Sequence, residues 1–212
     1  MPVTLTEVTA DMEKAAKKIL VIDACVRREE SRTKKLMDRA VQTLKEVHPR
    51  WEFTVLTLMD LDLKYWNTRS LKERDELLAK KEYDAPVFAY GNQFREADGV
   101  IVAAPFWDLS IPAVLKVYIE NISAEGITFG CGPEGLYGRC RAQWMLFLTT
   151  RGGIWECSDM EQGSRYMEAM SRFFGIDHYV HVYADGIDID TMDGEGILEE
   201  SLLEVEHICS EL

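Results

Sequence analysis

Residues Val100–Ala104 (V-I-V-A-A) form an unbroken apolar run, uncharged and closed by Pro105. The run is too short for most helices, and a strand buried on both faces reads this way. Such strands belong to parallel sheets covered by helices on each side. Proline ends the run because it has no N–H to give to the sheet ladder.

The rest of the chain repeats this pattern. Lys18–Asp23 (K-I-L-V-I-D) and Gln143–Leu148 (Q-W-M-L-F-L) are two further continuous runs. Trp51–Leu58 and His178–Tyr183 carry the β-branched and aromatic residues of strands. Helical periodicity appears between them: Lys34–Val47, with Leu36, Ala40, Val41, Leu44 and Val47 on one face; Leu71–Lys81; and Asp84 or Ala85 to Ala97 with Pro86 in the first turn. Ser110 is placed to cap a helix with Pro112 in its first turn. Met160–Phe174 ends at Gly175, a good helix-terminating residue, and Ile197–Leu212 closes the chain. Gly126–Gly138 holds five of the 14 glycines and reads as a long irregular loop. Strand and helix alternate five times. The prediction is an α/β, three-layer, doubly wound five-stranded parallel sheet, flavodoxin-like, in the order 2-1-3-4-5. Residues 1–17 read as an N-terminal extension with a short helix from Asp11 to Lys17, and 18–212 as one domain.

Composition narrows the function. With 37 acidic and 24 basic residues the formal net charge is −13, which argues against nucleic acid or an anionic membrane surface as partner. No run approaches the roughly 20 apolar residues of a membrane span. The five cysteines, Cys25, Cys131, Cys140, Cys157 and Cys209, are odd in number and scattered. That pattern suits a reducing cytoplasm, and it lacks the C-x-x-C spacing of zinc or iron–sulfur sites. His178 and His181, three apart on a strand, point to opposite faces, so no metal site is expected.

In an open α/β sheet, ligands bind beyond the carboxyl ends of the strands. Three loops fall there. Ala24–Thr33 offers Ser31 and Thr33 at a helix start, where free amides and hydroxyls suit a phosphate, with Arg27, Arg28 and Arg32 nearby. The plain alternative is that Ser31 only caps the helix. Pro105-Phe106-Trp107-Asp108-Leu109 offers an aromatic wall, and Thr150-Arg151-Gly152-Gly153 a stretch of closely approachable backbone. A phosphate end, an aromatic wall and an amide edge together describe a site for flavin mononucleotide (FMN).

The segments K-I-L-V-I, A-P-F-W-D-L-S-I-P-A-V-L-K, G-I-T-F…G-P-E-G-L and T-T-R-G-G-I carry a resemblance. From about Lys18 onward the chain resembles the FMN-dependent NADH-azoreductases and NAD(P)H:quinone oxidoreductases of the flavodoxin-like superfamily. The resemblance implies that a Ser-x-Ser phosphate element falls on Ser31-Arg32-Thr33 and that an upstream serine of the same loop falls on Cys25. It places an aromatic loop on Phe106-Trp107-Asp108-Leu109, with Asp108 where Asn is common, and a Ser-Arg-Gly-Gly element on Thr150-Arg151-Gly152-Gly153. The glycine-rich loop is shorter than in the azoreductases. The family also implies a homodimer whose partner completes the pocket, and Tyr65, Trp66, Phe129, Phe173 and Phe174 are the candidates for that wall, with plain packing as the alternative.

The implied activity is hydride transfer from NADH or NADPH through FMN to a quinone, azo compound or similar acceptor, by a ping-pong mechanism with no side-chain catalyst. The competing reading is a flavodoxin-type electron carrier, whose acidic surface would dock a basic redox partner. A third reading is a flavodoxin-like scaffold without FMN.

Overall fold

The computed structural model describes residues 16–212. The helix expected over Asp11–Lys17 falls almost wholly outside them, and Ala16 and Lys17 lead directly into the first strand. Strands β1 (Lys18–Asp23), β2 (Glu52–Thr57), β3 (Gly99–Ala103), β6 (Trp144–Thr150) and β7 (His178–Ala184) form one sheet in the order β2-β1-β3-β6-β7. Every pairing in it is parallel. With the two additional short strands set aside, this is the predicted 2-1-3-4-5 order. The fold is flavodoxin-like α/β.

All residues of β3 and β6 are buried, and so are the last five of β1. Their apolar runs are continuous because alternate side chains enter two different cores. Leu20, Ile22, Val100, Val102, Met145 and Phe147 pack on one face. There they meet α3 (Ala89–Arg95), α4 (Ala113–Ile122) and α5 (Gly163–Phe174). Ile19, Val21, Ile101, Ala103, Leu146 and Leu148 pack on the other, against α1 (Arg32–Val47) and α6 (Gly194–Glu211). The sequence gives no separate sign of which helix covers which face.

Four local readings are corrected. Gly126–Gly138 is not irregular throughout: β4 (Phe129–Gly132) and β5 (Gly135–Gly138) form an antiparallel hairpin turned at Gly135, φ +112°. Its glycines permit close packing, since a Cβ on Gly138 would lie 2.0 Å from the Gly175 amide nitrogen. Ser110 does not cap α4. Its backbone pairs with Trp107 in a tight turn, and Pro112 occupies the capping position. The helix α2 (Thr68–Ala79) begins before Leu71, because the Asn67 side chain accepts from the Arg69 and Ser70 amides while Ser70 Oγ takes the Asn67 amide. That reciprocal cap fixes the first turn whatever the apolar pattern. The helix expected from Asp84 or Ala85 to Ala97 is likewise split into a 3₁₀ turn at Pro86–Phe88 and the short α3.

Candidate functional site

The strand order reverses between β1 and β3, and a cleft opens there at the carboxyl edge of the sheet. A cavity of about 240 Å³ lies in it. It is lined by Arg27, Glu30, Ser31 and Arg32 from the first loop, Pro105, Phe106 and Trp107 from the second, and Thr150 and Gly152 from the third. Ile187 and Asp188, after β7, complete it. Sequence reasoning missed this fourth segment, whose A-D-G-I-D run has only Gly186 (φ +81°) to mark a turn.

The first loop ends at Ser31, which is extended (φ −78°, ψ 124°) and caps α1, its hydroxyl 3.4 Å from the Lys34 amide. That bond is long, and the first-turn amides of a helix lack intrahelical partners, so the hydroxyl and amides remain available to an anion. Thr33 behaves differently. Its side chain is fully buried and shares a 2.6 Å hydrogen bond with Thr150 Oγ1, which ties the first loop to the third. Cys25 is also buried, with its thiol directed to the Ala103 carbonyl at 3.8 Å. Burial, and then the nearby Asp23 carboxylate, push this thiol far up, so it stays neutral. Arg28 is drawn away to Asp60 at 2.6 Å. Arg32 crosses the cavity mouth to Asp188, 2.6 Å away, and to the Ile187 carbonyl at 3.2 Å.

In the second loop, Trp107 and Ser110 exchange backbone hydrogen bonds of 3.0 and 2.8 Å around a two-residue turn. Asp108 (φ 49°) and Leu109 (φ 66°) both adopt left-handed backbone. For leucine this is strained, by roughly 1–2 kcal/mol, and such strain gathers at ligand sites. The turn is held because the Gln162 amide donates to the Leu109 carbonyl at 2.9 Å and the Phe106 amide to Thr150 at 3.2 Å. The Asp108 and Leu109 amides donate to nothing among the described residues.

In the third loop the Gly152 and Gly153 carbonyls accept from Asp188 and Gly186, while their own amides find no acceptor among the described residues. A Cβ on Gly152 would stand 2.6 Å from Asp188 Oδ2. Arg151 between these elements is 2% exposed and lies beneath the rim, not in the cavity. It pairs with Asp185 at 3.2 Å and Glu161 at 3.6 Å, and its Nη2 lies 3.2 Å from His181 Nε2. Burial first, then the Arg151 charge, hold the His181 imidazole down at about 4, so it is neutral at pH 7. Burial pushes the Glu161 carboxyl up, but hydrogen bonds from Ser164 and the Arg151 charge outweigh it and leave it below the usual range.

The five aromatic candidates for a substrate wall do not join this cavity within one chain. Phe173 and Phe174 end α5, which runs antiparallel to the strands and so finishes at the opposite edge of the sheet. There the Cys140 amide donates to the Phe174 carbonyl, 3.2 Å away, just before β6 begins. Phe129 packs against Phe173 with ring centres 4.6 Å apart, tilted by 42°, and anchors the hairpin to that edge. Trp66 donates to the Glu120 carbonyl at 3.2 Å, against the last turn of α4. Tyr65 beside it is 74% exposed. Within one chain these side chains meet packing neighbours or solvent, as long apolar side chains at helix ends commonly do.

A doubly wound sheet in this order, with its cavity at the switch point, defines the flavodoxin-like class. The family model for the flavodoxin-like fold matches residues 17–208, and the chain belongs to that family. Two relatives named FMN-dependent NADH:quinone oxidoreductase narrow the comparison. The one from Clostridium perfringens is 33% identical over 186 residues, spanning 87% of this chain and 94% of the relative. Another, from Clostridium acetobutylicum, is 33% identical over 189 residues with the same coverage. Among solved structures, an azoreductase from Bacillus anthracis superposes with a TM-score of 0.84 at 26% identity, covering 93% of this chain and 100% of the other. An FMN-dependent NADH-azoreductase of the same species, solved with FMN, shares the fold with a TM-score of 0.81 at 24% identity, over 92% and 98% of the two chains.

Proposed function

We propose that this chain is an FMN-dependent oxidoreductase that takes hydride from NADH and reduces quinones, azo compounds or similar acceptors. One observation carries the reading: three loops and the turn after β7 converge on a single cavity at the switch point, with unpaired amides on two sides. The relatives' names support the cofactor, the nicotinamide and the acceptor class.

The residues present fit FMN. Ser31 and the first-turn amides of α1 would take the phosphate, and Arg32 would add charge once released from Asp188. Arg is suited to this because its planar fork meets phosphate bidentately. Phe106 and Trp107 would flank the ring, and the Gly152 and Gly153 amides would meet its polar edge, where a side chain would obstruct approach. Cys25, Thr33 and Arg151 shape the site from behind. Bound FMN supplies the hydride chemistry itself. The chain contributes orientation and exclusion of water, and no side-chain acid or base is assigned.

A second copy of the chain would complete the pocket. Trp107, Leu109, Ile154 and Met160, all on the segments around the cavity, are large exposed apolar residues of the kind interfaces cover. The acidic surface favours the flavodoxin-type carrier as the second reading. Anaerobic mixing of the FMN-loaded protein with NADH separates the two. Rapid bleaching, with parallel double-reciprocal plots against a quinone, supports a ping-pong enzyme. A flavin left oxidised by NADH supports the carrier, and a protein that takes up no FMN overturns both.

A further inference from the structure

Resemblance alone would make Arg151 a cofactor ligand. We infer instead that Arg151 is a positioning residue: one buried guanidinium fixes the walls of the ring pocket relative to one another. This rests on the FMN reading above.

The guanidinium is where the rim segments meet. Its carbon lies 5.7 Å from the centre of the Phe106 ring on the second loop and 4.7 Å from that of Tyr183 on β7. Both lie within the range of cation–π attraction. Nη1 reaches Asp185 at 3.2 Å. The second oxygen of that carboxylate accepts the Trp155 and Glu156 amides at 2.8 and 2.7 Å, which pins the backbone just after Gly152-Gly153. Trp155 in turn packs on Phe106 with ring centres 5.3 Å apart, so Phe106 is held from two directions. Nη2 faces Glu161 at 3.6 Å, which accepts from Ser164 at the start of α5. The neighbouring Gln162 amide holds the Leu109 carbonyl, the far end of the strained turn. Aromatic wall, glycine edge and helix start are thus referred to one side chain.

A purely structural role explains this poorly. A buried ion network is seldom more stable than apolar residues of the same volume, and here Nε has no partner among the described residues. What the network supplies is direction. The fork of an arginine sets several partners at fixed angles, and a lysine, with a single point charge, does not. Pockets that orient a ring need such support behind the contacting groups.

The test measures FMN and riboflavin binding by fluorescence quenching, with the visible circular dichroism of the bound flavin at saturation. Arg151→Lys is expected to weaken FMN and riboflavin by the same factor, ten-fold or more, because the ring walls loosen while the phosphate end is untouched. The dichroic bands should shrink at full occupancy. Glu161→Gln keeps Arg151 paired with Asp185 and loosens only the tie to α5, so it provides the reading if Arg151→Lys does not fold. It should weaken both flavins equally, by two- to five-fold. Wild-type affinities and dichroism in a folded Arg151→Lys, or in Glu161→Gln, would overturn the inference. A loss confined to FMN would overturn it too, by placing Arg151 at the phosphate. Failure of the wild-type protein to bind either flavin would strike the FMN reading itself.

Discussion

Gly152→Ala separates the fold from the site most cleanly. Gly152 is not among the glycines with positive φ, so alanine suits its backbone. The new methyl would lie 2.6 Å from Asp188 Oδ2 and 3.3 Å from its Cβ and Cγ. Asp188 has a side chain 61% exposed and would rotate outward, giving up its ion pair with Arg32. A pair that open contributes about 0–1 kcal/mol. Restricting the unfolded chain by Gly→Ala offsets about 0.4–1 kcal/mol of this, so stability should change by less than about 1 kcal/mol. Binding should suffer more. A methyl projecting into a close-packed wall costs about 1–3 kcal/mol, equivalent to about 5- to 150-fold in affinity. The assay is FMN fluorescence quenching, with thermal unfolding of the same preparation. Riboflavin serves as control, because freeing Arg32 could strengthen the grip on phosphate and mask the steric loss in FMN. A folded variant that binds riboflavin like wild type would refute the assignment of Gly152 to the ring wall.

Three further outcomes are expected. Ser31→Ala should weaken FMN by about 10- to 150-fold, through loss of a hydrogen bond to a charged group worth roughly 1.5–3 kcal/mol, and leave riboflavin unchanged in the same titrations. Thr33→Val should do the reverse: it strands the buried Thr150 hydroxyl, costing about 1–3 kcal/mol in denaturant melts, with FMN affinity preserved. Leu109→Gly should relieve about 1–2 kcal/mol of left-handed strain against about 0.4–1 kcal/mol of added freedom in the unfolded chain, and raise the melting temperature by about 2–4 °C per kcal/mol of net gain; a lowered melting temperature would show that the strain is smaller than the entropy and side-chain packing lost. His181 gives a pH signature. Its folded pKa of about 4 lies below its ordinary 6.5, so the unfolded chain binds the extra proton between them. Stability therefore falls as pH drops from 6.5 towards 4, by about 3 kcal/mol at the lower end. His181→Gln should remove that component, and identical pH curves for wild type and variant would show that the imidazole is not held neutral.

Much of the architecture was legible in the order of the amino acids. Short runs such as V-I-V-A-A are too short for most helices and read as strands buried on two sides, and their alternation with amphipathic helices calls for a parallel sheet and its crossovers. The position of the cleft follows from strand order, so three of its four segments could be named from loops at carboxyl strand ends. Sequence also located the special backbone at Gly175, where a left-handed residue ends α5.

Direction was not legible. Ser31, Thr33, Cys25 and Arg151 all sit in the right loops, yet only Ser31 of these faces the cavity. Loop backbone and the first turn of a helix entered from it have no period set by the sequence, so whether a side chain turns inward depends on partners distant in the chain: Thr150 for Thr33, Ala103 for Cys25, Asp185 and Glu161 for Arg151. Phe129, Phe173 and Phe174 lie away from the cavity of their own chain for the related reason that a helix antiparallel to its strands carries its last turn to the far edge. The amino-acid order determined which elements form and at which edge a ligand meets them. Tertiary packing alone decided which residues at that edge look outward, because the choice is made by contacts between segments up to 156 residues apart, such as Arg32 with Asp188.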